Sequence, residues 1–139
     1  MKQIFEEIEI KTNGQNLIDV TEAVLDLLNK SKINNGIINL SILHTSASII
    51  VQENADPNVQ TDLLNFFDKI SPMDPQLYTH GCEGPDDMPA HIKTALTNTH
   101  LTLSIKSQKL ILGTWQGIYL FEHRINRQNR KILIHILGN

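Results

Sequence analysis

Four strand-like segments follow one another toward the end of the chain, with only short polar turns between them. They are Leu101–Ile105, Lys109–Leu112, Gly117–Arg124 and Arg130–Leu137. A parallel pair of strands needs a crossover of a dozen or more residues, and these connections are much shorter. We therefore predict antiparallel pairing, with the last two segments forming a long hairpin whose loop lies at or near Ile125–Asn129.

Apolar spacing upstream of this region predicts further strands and helices. Asp19 or Thr21 is expected to cap the first helix, and Asp56-Pro57 to open the second, since aspartate suits the N-cap and proline the first helical position. The predicted strands are Lys2–Lys11, Ile37–Leu43 and Ala47–Val51, and the predicted helices end near Lys30, Ile70 and Asn98. This order predicts one α+β domain over residues 1–139, an antiparallel sheet or sandwich with two to three helices.

The composition is typical of a globular cytoplasmic protein. Apolar residues make up 40% of the 139 residues, and no apolar run approaches the roughly 20 residues of a membrane span. The charged first residues lack a signal-peptide pattern, and the single cysteine, Cys82, cannot form an internal disulfide. Acidic residues concentrate in the first two thirds of the chain and basic residues in the remainder. Either the two parts neutralise each other or the basic part faces an anionic ligand. Nucleic-acid binding is not predicted, because the sequence has no dense stripe of Lys and Arg.

The segment Tyr78–His91, YTHGCEGPDDMPAH, is dense in groups that bind metals or move protons. Its glycines and prolines restrict the backbone around two histidines and three carboxylates. We expect two adjacent aspartates to precede or cap a helix beginning near Asp87, where the positive helix end stabilises carboxylates. Four side chains could then converge on a metal ion: His80, Glu83, Asp87 and His91. The alternative is a capped helix behind a solvated acidic loop.

A second candidate segment, His44-Thr45-Ser46, lies between two predicted strands. Strand alternation places His44 on the face that buries Leu40 and Ile42, which is typical of a hydrogen-bonded core histidine. The adjacent hydroxyls of Thr45 and Ser46 offer a different interpretation, because they could hold a phosphate beside a ligating imidazole.

Two more candidates lie in the predicted hairpin region. The glycines of the segment Gly113–Gly117 bracket the only tryptophan, Trp115, and Gln116 lies beside it. Trp115 could anchor the core at a turn, or Trp115 and Gln116 could form a surface that binds a ring. Glu122 and Arg124 share one strand face. They could form a simple ion pair, or Glu122 could act as an acid or base among apolar neighbours.

These segments together resemble the YjbQ family, a group of small bacterial and archaeal proteins without an assigned function. The matching residues are His44–Ser48, Glu53–Pro57, Tyr78 with His80, Glu83–Lys93, and Gly113–Tyr119 through Glu122 and Arg124. The resemblance runs from about residue 3 to the C-terminus. It implies an α+β fold around an antiparallel sheet, assembled as a homotrimer, with a polar cleft that binds a divalent metal, preferably zinc.

Carried over residue by residue, the resemblance assigns the metal to His44, His80 and His91. It also implies a weak, secondary thiamine-phosphate synthase activity, which joins a pyrimidine pyrophosphate to a thiazole phosphate. Three imidazoles with an open position would suit a catalytic metal.

We therefore predict an enzyme acting on a small phosphorylated or heteroaromatic molecule. The expected acids or bases are Glu83, Asp87 and Glu122; the expected phosphate ligands are Thr45, Ser46, Lys93 and Arg124; the expected ring contacts are Trp115 and Gln116. One alternative is a trimer that binds a metabolite or metal without turnover. The other is a structural trimer in which the polar loop only caps a helix.

Overall fold

The computed structural model describes all residues from 1 to 139 as two antiparallel sheets and three helices, which confirms the predicted α+β class. The strands are β1 (Lys2–Asn13), β2 (Asn16–Asp19), β3 (Gly36–Ile42), β4 (Ala47–Glu53), β5 (His100–Lys106), β6 (Lys109–Leu110), β7 (Gln116–Glu122) and β8 (Arg127–Gly138). The helices are α1 (Thr21–Ser31), α2 (Pro57–Ile70) and α3 (Asp87–Leu96), with a 3₁₀ turn at Pro75–Leu77. No helix is both long enough and apolar enough to cross a membrane.

The two sheets divide the strands in an order that the sequence did not indicate. The larger sheet has the order β1-β8-β3-β5-β6 and the smaller sheet has the order β2-β7-β4. The predicted pairing of β5 with β6 is confirmed. The predicted hairpin of β7 with β8 is wrong, because β7 pairs with β2 and β4 while β8 pairs with β1 and β3.

The reason for this division is visible in β7, whose residues are buried on both faces. Ile118 and Leu120 point into the main core between the sheets, and Tyr119 and Phe121 point the other way into a smaller cluster. That smaller cluster packs against Leu63, Leu64 and Phe67 of α2. A strand that is apolar on both faces needs a cover on both sides, which the larger sheet and α2 supply.

The main core follows the alternation of β8. Ile132, Ile134 and Ile136 are fully buried there, while the residues between them face outward. Burying each such side chain contributes about 1.5–3 kcal/mol relative to leaving it exposed. Val24 and Leu28, one turn apart on α1, belong to the same core. The core therefore fixes how the two sheets pack, and with them the loops that cross between the sheets.

The N-termini of the helices agree with their sequence signals to different degrees. As predicted, α2 is capped by Asp56, whose side chain accepts the Asn58 N–H at 2.9 Å, and Pro57 takes the first position. Neither Asp19 nor Thr21 occupies the N-cap of α1, which is Val20, although the Asp19 carboxylate accepts the Thr21 N–H. The strand β2 was not predicted, because its four residues bury only Leu17.

Candidate functional site

Three chain segments meet beside the N-terminus of α3. One is the loop that precedes the helix, the second is the crossing from β3 to β4 at residues 43–46, and the third is the crossing from β7 to β8 at residues 123–126. The crossing from β3 to β4 is joined to α3 by His91 Nδ1, which lies 2.8 Å from Thr45 O. The crossing from β7 to β8 is joined to α3 by Arg124, which binds two aspartates at the start of the helix. The site is thus assembled where the chain passes from one sheet to the other.

The centre of the site is the carboxylate of Asp87. His80 Nε2 lies 2.6 Å from Asp87 Oδ2, and His91 Nε2 lies 3.3 Å from the same oxygen. A ligand atom from each of the three residues lies within 4.8 Å of the other two. Asp87 is buried, whereas the side chains of His80 and His91 are 45% and 31% exposed. The buried carboxylate of Asp87 therefore lies next to two imidazoles that solutes can reach.

The tautomer of His91 follows from its partner. A backbone carbonyl can only accept, so His91 Nδ1 carries a hydrogen and donates it to Thr45 O. In the neutral ring this leaves a lone pair on Nε2, the atom that faces Asp87. A backbone carbonyl that orients a ligating imidazole through its other nitrogen is a common arrangement at metal sites.

Arg124 holds both aspartates at the helix start. Its Nε donates to Asp86 Oδ2 and its Nη1 to Asp87 Oδ1, each at 2.8 Å, and the Ile125 N–H also binds Asp86 Oδ2. Asp86 occupies the N-cap position, but its side chain makes no capping hydrogen bond. The expectation that the aspartates cap the helix is therefore replaced by an ion-pair network to Arg124.

The electrostatics of this network favour the charged forms. Burial alone would raise the pKa of Asp86, but hydrogen bonds from Arg124 and Ile125 outweigh it and hold that pKa below its ordinary value. Burial likewise opposes ionisation of Asp87, and the hydrogen bond from His80 with the charges of His91 and Arg124 lowers its pKa overall. Burial would lower the pKa of Arg124, yet Asp86 and Asp87 raise it. Asp87 is thus a carboxylate at neutral pH and can serve as a ligand.

Glu122 lies in a different environment from the one the sequence suggested. It is fully buried, and its partner is Arg130 rather than Arg124, with Arg130 Nε and Nη2 at 2.7 and 2.6 Å from its two oxygens. Thr12 Oγ1 and the N–H groups of His123 and Arg124 donate to the same carboxylate. The carboxylate is saturated by these donors, which is the arrangement of a structural ion pair.

Arg130 connects this ion pair to the site. Its Nη2 also donates to Ser46 O at 3.1 Å and to Ser46 Oγ at 2.9 Å. Ser46 follows Thr45, whose carbonyl holds His91. The sequence did not single out Arg130, because its partner lies eight positions away across the crossing between the sheets.

The structure does not bring His44 into the His80–Asp87–His91 group. Its Nε2 accepts the N–H of Lys131 at 2.8 Å, beyond the end of β3. Burial and the nearby charge of Arg130 lower the pKa of its imidazole, so it is neutral at pH 7 and available as an acceptor. This is the hydrogen-bonded role that strand alternation indicated.

The other predicted side chains are placed around the group without joining it. Glu83 is exposed and contributes only its carbonyl, which accepts Arg124 Nη2 at 2.9 Å. Lys93 is buried and donates to Asp68 Oδ1 at 2.6 Å. Thr45 is exposed, and its carbonyl is the group that contacts the site. The cations expected to receive a phosphate, Lys93 and Arg124, are both paired with carboxylates.

Trp115 and Gln116 lie at the opposite end of β7 from Arg124. Trp115 is 65% exposed, and Gln116 Oε1 accepts the Gly113 N–H at 2.6 Å. β7 spans the seven residues from Gln116 to Glu122, which corresponds to roughly 20 Å of extended strand. Within one chain these two residues are therefore remote from the group around Asp87.

A buried hydrogen-bond chain beneath α3 was not predicted. Thr97 Oγ1 donates to Lys93 O, Ser48 Oγ contacts Thr97 Oγ1, and His123 Nε2 lies 2.7 Å from Ser48 Oγ. Because the Thr97 proton is committed, Ser48 donates to Thr97 and His123 Nε2 donates to Ser48. Burial, with the charges of Lys93 and Arg130, lowers the pKa of His123 to about 3. The available signal was its position directly after β7, where it continues the alternation of the buried Tyr119 and Phe121.

The donor chemistry at Asp87 fits a divalent cation. Two imidazole nitrogens and one carboxylate oxygen are a ligand set used by zinc and by non-haem iron. The residues that would hold it are His80, Asp87 and His91, and the orienting carbonyl of Thr45 completes the arrangement. Cys82 lies exposed in the same loop and is not one of the converging groups.

Comparison with known proteins gives one consistent result. The family model described as "UPF0047 protein YjbQ-like" matches residues 6–139. The UPF0047 protein sll1880 of Synechocystis is 42% identical over 99% of this chain and 93% of its own length. The UPF0047 protein YjbQ of Escherichia coli O157:H7 is 40% identical over 94% of each chain.

Solved structures agree with these relatives. A YbjQ-like protein of unknown function from Sulfolobus solfataricus superposes with a TM-score of 0.90 at 27% identity, covering 99% of both chains. An uncharacterised YjbQ/UPF0047 protein from Clostridium acetobutylicum superposes with a TM-score of 0.87 at 37% identity, covering 95% of this chain and 99% of its own. The fold is therefore shared with a bacterial and an archaeal protein.

Proposed function

The chain belongs to the YjbQ-like UPF0047 family, and from that premise we propose that it is a metal-dependent enzyme acting on a small phosphorylated molecule. The observation that carries the proposal is the convergence of His80, Asp87 and His91, whose ligand atoms lie within 4.8 Å of one another with both imidazoles partly exposed. When bound, a divalent cation such as zinc supplies Lewis acidity toward an oxygen atom of a substrate.

The residues of the chain supply orientation and charge at this point. Thr45 O fixes the plane of the His91 ring and, in the neutral ring, leaves the lone pair on Nε2. Asp87 is fixed from the other side by Arg124, so it is presented to the two imidazoles as a charged, rigid group. Fixed ligands cost less reorganisation when a cation and substrate bind.

The proposed substrate class follows from where positive charge is available. Lys93 and Arg124 are committed to carboxylates, so neither is free to neutralise a phosphate. An anionic substrate would instead meet the charge of the cation itself, between two partly exposed imidazoles. The thiamine-phosphate synthase activity implied by the family resemblance fits this class, because its pyrimidine substrate carries a pyrophosphate. We propose it as a secondary activity of a cytoplasmic enzyme.

Metal analysis of the purified protein tests the proposal. We expect about one divalent cation per chain in the wild type and a loss of at least tenfold in affinity in His80→Ala and His91→Ala, since each removes one of three ligands. His100→Ala is the matched control, because His100 is an exposed histidine on β5 outside the group. The measurement is metal content after dialysis, with circular dichroism as the check on folding.

The outcomes separate the proposed enzyme from its alternatives. Stoichiometric metal with product from phosphorylated thiamine precursors supports the proposal. Stoichiometric metal without turnover of any phosphorylated substrate would favour a protein that binds metal or metabolite without catalysis. A wild-type protein that retains no more metal than His91→Ala would contradict the site and favour a loop that only stabilises the start of α3.

We also propose that the chain assembles as a homotrimer through the outer face of the larger sheet. Phe5 is 60% exposed there and stacks on His135 at 4.1 Å between ring centroids, and Ile37 is also exposed. We expect sedimentation equilibrium to give about three times the 15.7 kDa chain mass. Phe5→Glu should shift the mass toward one chain, while Asn65→Glu is the control that adds the same charge at an exposed position on α2, away from this face. A monomeric wild type would contradict this proposal.

A further inference from the structure

Arg124 uses every nitrogen of its guanidinium in hydrogen bonds within the protein. Its Nε, Nη1 and Nη2 each donate to a different acceptor: Asp86 Oδ2, Asp87 Oδ1 and Glu83 O. The side chain is 12% exposed, so these bonds are largely shielded from water. Such a planar guanidinium, bonded through each of its nitrogens, is suited to fixing other groups in place.

The bond to Asp87 divides that carboxylate into two unequal oxygens. Oδ1 accepts Arg124 Nη1 at 2.8 Å, while Oδ2 faces His80 Nε2 at 2.6 Å and His91 Nε2 at 3.3 Å. Asp87 is almost completely buried, so its carboxylate has little freedom to rotate. A carboxylate can bind a cation through one oxygen or both, and here only Oδ2 points toward the imidazoles.

We infer that Arg124 is a positioning residue that restricts Asp87 to one ligand oxygen and so keeps a position on the cation open for an anionic oxygen of the substrate. The inference rests on the proposed metal site. Asp87, His80 and His91 then supply three ligand atoms in total, whereas zinc takes at least four. The substrate class that this favours is a phosphate or pyrophosphate, which offers oxygen atoms for the vacant position.

The anchoring of Arg124 explains why it can perform this role. Asp86 receives Arg124 Nε and the Ile125 N–H on the same oxygen, which fixes both the guanidinium and the backbone that carries it. The guanidinium is therefore held from behind by Asp86 while its Nη1 holds Asp87. Asp86 thus supports the arrangement without facing the imidazoles.

X-ray absorption at the zinc edge, combined with titration of inorganic pyrophosphate, tests the inference. In zinc-loaded Arg124→Met we expect the carboxylate to bind through both oxygens, which adds one oxygen neighbour to the zinc. Pyrophosphate affinity should fall by about tenfold or more, while zinc content stays at the wild-type value. Arg124→Gln is a second, polar variant with the same expectation, because its amide is too short to serve all three acceptors.

Arg127→Met is the control, since it makes the same change at an exposed arginine of β8 outside this network; we expect wild-type coordination in it. Zinc bound by the wild type with an unchanged oxygen shell in Arg124→Met and Arg124→Gln would overturn this inference alone. Absence of zinc from the wild type would overturn the proposed function, and the inference with it. A purely structural role for Arg124 would lower the melting temperature without adding an oxygen neighbour.

Discussion

Replacing Arg130 by methionine is expected to lower the free energy of unfolding by about 3–5 kcal/mol. The substitution leaves the Glu122 carboxylate fully buried without its cation, and an uncompensated buried charge is among the costliest changes a fold can undergo. It also removes the two hydrogen bonds to Ser46, so the turn that presents the Thr45 carbonyl to His91 should loosen. Urea unfolding at pH 7 measures the loss.

Two variants make this expectation specific. Arg127→Met removes an exposed arginine from the same strand and should cost less than about 0.5 kcal/mol. Glu122→Gln combined with Arg130→Met removes both charges and should recover part of the stability, because no unpaired ion remains. An Arg130→Met protein as stable as Arg127→Met would show that the buried pair contributes nothing.

Acidification from about pH 6.5 to pH 3 is expected to remove up to about 4–5 kcal/mol of stability through His123 alone. Burial, with Lys93 and Arg130 nearby, lowers the pKa of His123 to about 3 in the folded chain. The unfolded chain takes up that proton near pH 6.5. Below pH 6.5 the unfolded state therefore binds one more proton than the folded state, and stability falls by up to about 1.4 kcal/mol per pH unit.

His123→Gln isolates this contribution, because its amide can still donate to Ser48. Unfolding free energies of both proteins at pH 7.0, 5.5 and 4.5 give the slopes to compare. The slope of the unfolding free energy against pH should be larger in the wild type than in the variant by the contribution of about one bound proton. The slope that remains in the variant includes His44, whose pKa is also lowered. Identical slopes would mean that His123 becomes protonated in the folded protein at ordinary pH.

Local signals predicted the elements whose determinants are local. The start of α2 follows from Asp56-Pro57, and the core face of β8 follows from isoleucines at every second position. The group around Asp87 was similarly accessible, because a short loop and one helical turn carry His80, Asp87 and His91. Spacing within a dozen residues is enough to bring such side chains together.

Strand partners and remote site residues could not be predicted in this way. Apolar residues on both faces of β7 show that the strand is buried but not which strand lies beside it, so the hairpin with β8 was the simplest and wrong assignment. The predicted pairing of Glu122 with Arg124 was wrong for the same reason. The true partner, Arg130, can be identified only when the positions of β7 and β8 in different sheets are known. The separation of Trp115 and Gln116 from His91 likewise depends on the length and direction of β7.

The division of strands between the sheets has a consequence for synthesis on the ribosome. β1, β2 and β4 have no strand partner other than β7 or β8, which are among the last elements to emerge. Until then their edges stay unpaired, and unpaired edges of nascent chains are sites of misassociation. Because nearly every pairing joins distant parts of the chain, folding is expected to be slow. The yield of folded protein should therefore depend on chaperone capacity and on growth temperature more than its final stability would suggest.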